Sequence, residues 1–93
     1  MSYEWDDDKN EKNIKNHGID FHDSHFVFEN PMLIKVDDRK DYGEKRFIGL
    51  GLLFEVIIVI VFTKRSGITR VISIRRANKN ERKVYQEKFT QQD

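Results

Sequence analysis

Lys9, Asn13 and His17 stand four residues apart, a spacing that places all three on one face of a helix. An imidazole that titrates near neutral pH, beside an ammonium, is suited to moving the proton of an RNA 2′-hydroxyl and neutralising the leaving oxygen without a metal. The same residues admit a plainer reading, because Asn16-His17-Gly18 also suits a helix end, where imidazolium favours the negative pole of the dipole. A second constellation sits in the last apolar strand. Strict alternation there sends Ile68, Arg70, Ile72, Ile74 and Arg76 to one face and Thr69, Val71, Ser73 and Arg75 to the other. If helices cover the first face, the second is an open platform on which Arg75, beside Ser73, could clamp a phosphate and stabilise a pentacovalent intermediate. Pairing of Arg75 with Glu81 as an ordinary surface arginine is the alternative.

Arg46, Lys64, Arg65 and Arg70 fall at or beside strand ends, where they either add positive field to such a platform or protect strand edges. Lys79, Arg82, Lys83 and Gln86 form a polar, largely basic stripe on the final helix. Tyr85 could stack on a base or donate a proton, but its spacing from Phe89 also suits core packing. His22 and His25, with Asp23 between them, lack a firm third ligand, so no metal site is expected. Phosphate-cradling glycine loops, nucleophile elbows, zinc-protease helices and helix-turn-helix patterns are absent.

The elements that must hold these residues fit one domain spanning residues 1–93, with a frayed tail from about residue 90. The 93 residues contain no cysteine, compatible with a reducing cytoplasm and ruling out disulfides. An acidic amino terminus does not read as a secretory signal. Phe47–Thr63 is apolar but only 17 residues long, with Glu55 and two glycines, and its β-branched run reads as a buried strand instead of a membrane span. The net charge of +1 hides an asymmetry: residues 1–42 hold 11 acidic and 6 basic side chains, residues 43–93 hold 5 and 11. That pattern either marks a surface for a polyanion or reflects charges that pair once the chain folds.

A short strand is predicted at Tyr3–Trp5, then a helix capped by Asp6–Asp8 and closed by Gly18, then a second helix over Phe21–Phe28 that ends before Pro31. Strands follow at Met32–Val36, Arg46–Leu53, Val56–Lys64 and Thr69–Arg75, and a helix at Asn78–Phe89 with Asn78 and Glu81 as a reciprocal cap. Ser66-Gly67 marks one hairpin turn. Leu52-Leu53-Phe54-Glu55 offers no turn residue, so either the turn is unusual or a partner covers its apolar side chains, and the partner is the reading preferred.

Taken in order, Glu4-Trp5-Asp6, Lys9, His17-Gly18-Ile19, Phe21, Val27-Phe28, Asp37-Asp38, Gly43-Glu44, Arg46, Gly51, Thr63, Arg65, Arg70, Ile72-Ser73, Arg75, Ala77, Glu81-Arg82 and Tyr85 resemble the BrnT toxin family. The resemblance implies an α+β fold similar to RelE-type ribonucleases: two N-terminal helices, a mainly antiparallel four-stranded sheet and a C-terminal helix. It also implies a ribonuclease toxin that arrests growth, bound by a BrnA-like antitoxin whose ribbon-helix-helix part contacts DNA, with a homodimer inside the complex. The toxin would touch DNA only through that partner, and no membrane. Carried onto this chain, the resemblance points to His17, Arg75 and Tyr85 as catalytic candidates and to Lys9, Arg46, Arg65 and Ser73 as RNA contacts. Arg70 and Arg82 join the contacts from the charge pattern. Asn16 stands where the family more often has a basic residue. The rival reading is a non-catalytic interaction module acting as co-repressor with a DNA-binding partner.

Overall fold

The computed structural model describes residues 2–89. The tail expected from residue 90 lies outside the described residues. Strand β1 (Tyr3–Glu4) leads into helix α1 (Asp7–His17), a 3₁₀ turn at Phe21–Asp23 and the short helix α2 (Ser24–Phe28). Strands β2 (Leu33–Asp37), β3 (Arg46–Leu53), β4 (Val56–Arg65) and β5 (Ile68–Arg76) follow, and helix α3 (Lys79–Phe89) closes the order.

The α+β class is as the sequence implied, but two details are corrected. The sheet has five strands, in the order β1-β5-β4-β3-β2, and is mixed: β1 joins in parallel beside Thr69 and Arg70, while the other pairings are antiparallel. The single helix expected over Phe21–Phe28 is a 3₁₀ turn followed by five helical residues. Asp20 accounts for the split, since its carboxylate accepts the His22 N–H and starts the tight turn before Ser24.

Local chemistry explains the remaining boundaries. The Asp6 side chain accepts from the Lys9 N–H, and Gly18 adopts φ +70° and donates to the Ile14 carbonyl, so both ends of α1 are capped. Ser66-Gly67 turns as expected. The other hairpin is the unusual tight turn: Phe54 (φ +48°) and Glu55 (φ +69°) form it alone, with Leu53 opposite Val56. Neither residue type favours this conformation, and Phe54 offsets part of the cost by packing its ring, tilted, against Phe26 at 5.0 Å.

Even-numbered residues of β4 (Ile58, Ile60, Phe62) meet Phe21, Val27, Val71 and Ile74 in a core beneath the N-terminal helices. Odd-numbered Ile57 and Val59 pack with Ala77 and Tyr85 beneath α3. Helices therefore pack on both faces of the sheet. Gly51 lets α2 approach: a Cβ there would lie 2.8 Å from a Val27 methyl.

Asn13 locks α1 to the sheet. Its amide donates to the Ile74 and Ile19 carbonyls at 2.9 and 3.0 Å, and its oxygen accepts the Ile74 N–H at 3.1 Å. Beyond the two residues paired with β1, the edge of β5 is thus satisfied by a side chain. Asn13→Ala would strand these buried groups and is expected to lower unfolding free energy by about 2–4 kcal/mol, read from denaturant midpoints. An unchanged midpoint would show that this clamp contributes nothing.

Candidate nucleic-acid interface

A bulge in β5 decides which basic side chains meet. Val61 pairs with Ser73, but Phe62 pairs with Val71, leaving Ile72 as the extra residue. Strict alternation had put Arg70 on the face opposite Ser73 and Arg75, and had grouped Val71 with them. The bulge reverses the parity: Arg70, Ser73 and Arg75 share the face of Thr63, Val61 and Val59, while Val71 and Ile74 enter the core below the N-terminal helices. Arg46 reaches the same face from β3 opposite Thr63, and Lys35 and Asp37 reach it from β2 opposite Ile48 and Arg46.

This face is not the fully open platform anticipated. Helix α3 occupies part of it, because Ile57 and Val59 would otherwise leave apolar surface in water.

Arg75 is held by α3. Its Nη1 and Nη2 donate to the two Glu81 carboxylate oxygens at 2.8 and 2.9 Å, and Nη1 also reaches the Arg76 carbonyl at 3.2 Å. Glu81 is itself fixed by the helix cap expected from the sequence: it accepts the Asn78 N–H, and Asn78 accepts the Glu81 N–H, both at 2.8 Å. The Arg75 guanidinium, with help from the Asn78 N–H, pushes the Glu81 carboxyl down to about 2. The carboxylate in turn raises the Arg75 pKa. Among the described residues no acceptor meets the Arg75 Nε–H or the second Nη2–H, which leaves that edge of the guanidinium fork for an anion.

A second fixed cation was not singled out in the sequence. Arg39 donates from Nε and Nη2 to Asp37 at 2.7 and 2.8 Å, and the Tyr42 hydroxyl donates to the same carboxylate. Arg39 holds the buried Asp37 carboxyl well below the usual carboxylate range, and its own side chain stays 65% exposed. The positive field of Arg39 reaches Arg75, opposing the latter's charged form. Asp37-Asp38-Arg39 carries a faint signal for this pair in the sequence. Its sheet position, not its spacing, gives it meaning.

The other anticipated contacts are organised by carboxylates too. Arg65 grips Glu44 with Nε and Nη2 at 3.1 and 2.9 Å, Arg46 touches Glu44 at 3.4 Å and lies over the Tyr42 ring at 4.2 Å, and Arg70 bonds Glu4 at 3.1 Å. Arg65 chiefly lowers the Glu44 pKa. Arg82 donates to the Ala77 carbonyl at 3.0 Å and so belongs to the β5–α3 junction.

Lys9 and His17 stand elsewhere. They flank Asn13 on α1, which packs under the opposite face, so the structure does not bring them to Arg46 or Arg75. Of the stripe they form, Asn13 is a buried structural residue and the other two are exposed. His22 bonds Asp20 and packs its ring edge-on against Trp5, and His25 bonds the His22 carbonyl and tilts against Phe26, so both are occupied. Tyr85 is buried on the Arg75 side of the sheet, donates to the Pro31 carbonyl at 3.0 Å and packs on Phe89. Burial pushes its phenol up.

An apolar groove of about 380 Å³ runs between α3 and the β2–β3 pair, lined by Leu33, Ile48, Leu50, Val59 and Val84, with Lys35 and Glu81 at its polar margins. No helix among the described residues is long and apolar enough to cross a membrane. The run from Phe47 to Thr63, which had raised that question, forms most of the β3–β4 hairpin.

Fixed, partly exposed arginines thus lie on one face of a small α+β sheet, beside an apolar groove. Residues 5–81 match the family described as the ribonuclease toxin, BrnT, of type II toxin-antitoxin systems, and the chain belongs to that family. It is therefore assigned to a ribonuclease toxin class whose members work against an antitoxin. No curated protein matches the chain.

The Glu81 carboxylate gives a pH signature. Its folded value of about 2 lies below the ordinary 4.5, so its contribution to stability is complete above pH 4.5 and is lost as pH falls towards 2. Glu81→Gln should be less stable than wild type at pH 7, and the gap should close between pH 4.5 and 2, measured by denaturant titration across that range. A gap independent of pH would contradict the pairing.

Proposed function

We propose that this chain cleaves RNA without a metal, the 2′-hydroxyl of the substrate attacking the adjacent phosphorus and losing its proton to water as the bond to the 5′-oxygen breaks and that oxygen takes up a proton, and that the Arg75 face receives the scissile phosphate. The observation that carries this reading is the Arg75 fork: one edge is fixed by Glu81 and the other is open, with the positive field of Arg39 close by. A cation held before substrate arrives costs little reorganisation as charge grows on the pentacovalent phosphorus. Glu81 is then a positioning residue, and Ser73 and Arg46, on the same face, hold neighbouring sugar or phosphate groups.

His17, under the face opposite Arg75, is kept as a contact for RNA that passes round the end of β5 and not as the group that moves a proton at the phosphate on the Arg75 face. It is the histidine without a hydrogen-bonded partner among the described residues, and it lies one helical turn beyond Asn13, which is bonded to Ile74, the neighbour of Arg75. RNA passing round that end of β5 would meet His17 and then Lys9 along α1. Arg65, Arg70 and Arg82, each tied to a local acceptor, contribute field more than direct contact. Tyr85 serves packing. A BrnA-like antitoxin supplies the DNA contact and neutralises the toxin, with a homodimer in the complex and the cytoplasm as the place of action.

Arg75→Ala should reduce kcat/KM for RNA cleavage by about a hundredfold or more, with Arg75→Lys recovering only part. His17→Ala should lower activity by less than Arg75→Ala does, and Tyr85→Phe should retain activity if folded. Activity should persist in a chelator. A folded Arg75→Ala protein with full activity would overturn the assignment of the phosphate site, loss of all activity in chelator would overturn metal independence, and an intact RNA pool after expression of folded wild type would favour the co-repressor module.

A further inference from the structure

Strand β2 is the open end of the sheet: it pairs only with β3, and its outer backbone edge faces solvent. Such edges usually carry polar protection, yet here Ile34 and Val36 are 52% and 47% exposed. Both lie on the face of Gly49 and Phe47, and Ile34 sits against the vacant Cβ position of Gly49. The other face of β2 has a different chemistry. Lys35 there has no acceptor among the described residues, whereas Asp37 is consumed by Arg39 and Glu81 across the groove by Arg75. The uncompensated charge along that margin is therefore positive. Val84, 49% exposed, forms the apolar wall beyond it.

We propose that the edge of β2 is where the protein antitoxin docks, by adding an extended segment that alternates apolar and acidic residues. Backbone groups of that segment complete the ladder on β2. Its apolar side chains cover Ile34 and Val36, and its acidic side chains face Lys35 and Arg39. The pattern follows from the period of two along a strand, since one face of β2 carries Ile34 and Val36 and the other carries Lys35, with Arg39 just beyond the strand end. The proposal rests on the reading that Arg39 and Arg75 receive RNA, because it makes neutralisation a competition: carboxylates seated beside Arg39 cancel the field that reaches Arg75 and obstruct the phosphate path.

The test uses the full chain and its purified antitoxin. Ile34→Asp combined with Val36→Asp places two anions on the edge without opening the core, and Val56→Asp at the β3–β4 hairpin is the control for an added surface charge. The double variant should bind antitoxin at least tenfold more weakly, keep its thermal midpoint and keep wild-type RNA cleavage when alone, while the control binds normally. Amide exchange at residues 33–37 should slow when antitoxin saturates the wild type. Equal binding by the folded double variant, or unprotected β2 amides in the saturated complex, would overturn the proposal. So would protection of β2 in the isolated chain that is lost on dilution, which would make a second copy the occupant. If wild type shows no RNA cleavage, the catalytic reading falls, and the binding and exchange measurements still decide the docking site.

Discussion

Seven consecutive residues of β4, Ile57 to Thr63, are buried, and this one strand constrains the rest of the molecule. A strand apolar on both faces cannot sit in a sheet with one face in water, because each exposed Ile or Val would cost about 1.5–3 kcal/mol of lost burial. The chain meets this demand asymmetrically. The N-terminal helices bury the even-numbered residues of β4, with Gly51 admitting Val27 and Asn13 fixing α1 to β5. On the odd-numbered side a single helix of 11 residues covers Ile57 and Val59 and leaves the remainder of the face to arginines. The candidate site is thus the uncovered part of a sheet that needed covering.

Carboxylates, more than an excess of positive charge, organise this face. Of the six ion pairs among the described residues, only Arg70 with Glu4 joins the acidic half of the chain to the basic half. The charge asymmetry in the sequence is therefore largely retained on folding, and the basic half keeps its field. Within that field Glu81 and Asp37 fix the forks of Arg75 and Arg39, so the cost of ordering two long side chains is met during folding and not on binding. The capping bonds of Asn78 link the same carboxylate to the start of α3, which couples the integrity of the helix to the aim of Arg75.

Much of the architecture was legible in the sequence because its signals are local. Asp6 and Gly18 bracket α1, Ser66-Gly67 turns the last hairpin, and Asn78 with Glu81 caps α3, each through atoms within four residues of one another. The apolar run of β4 fixed its burial without reference to any neighbour. Of the site, the shared face of Ser73 and Arg75 and the pairing of Arg75 with Glu81 were also readable, since both span a few residues.

What tertiary structure decided concerns relations across long separations. A one-residue bulge at Ile72 turned Arg70 to the face of Arg75 and Val71 away from it, and nothing in an alternating pattern announces such a slip, because it is set by pairing with β4. Asn13 looked like a neighbour for His17 and became the clamp on Ile74, 61 residues away, because the upper edge of β5 needed acceptors and donors that two-residue β1 could not supply. Arg39 gained its role only when β2 was laid beside β3 and its charge came within range of Arg75. By itself the sequence determined which segments form strands and helices and how they are capped, since those choices depend on neighbours along the chain. The meeting of particular cations on one face depended on strand order and register, which are properties of the folded sheet.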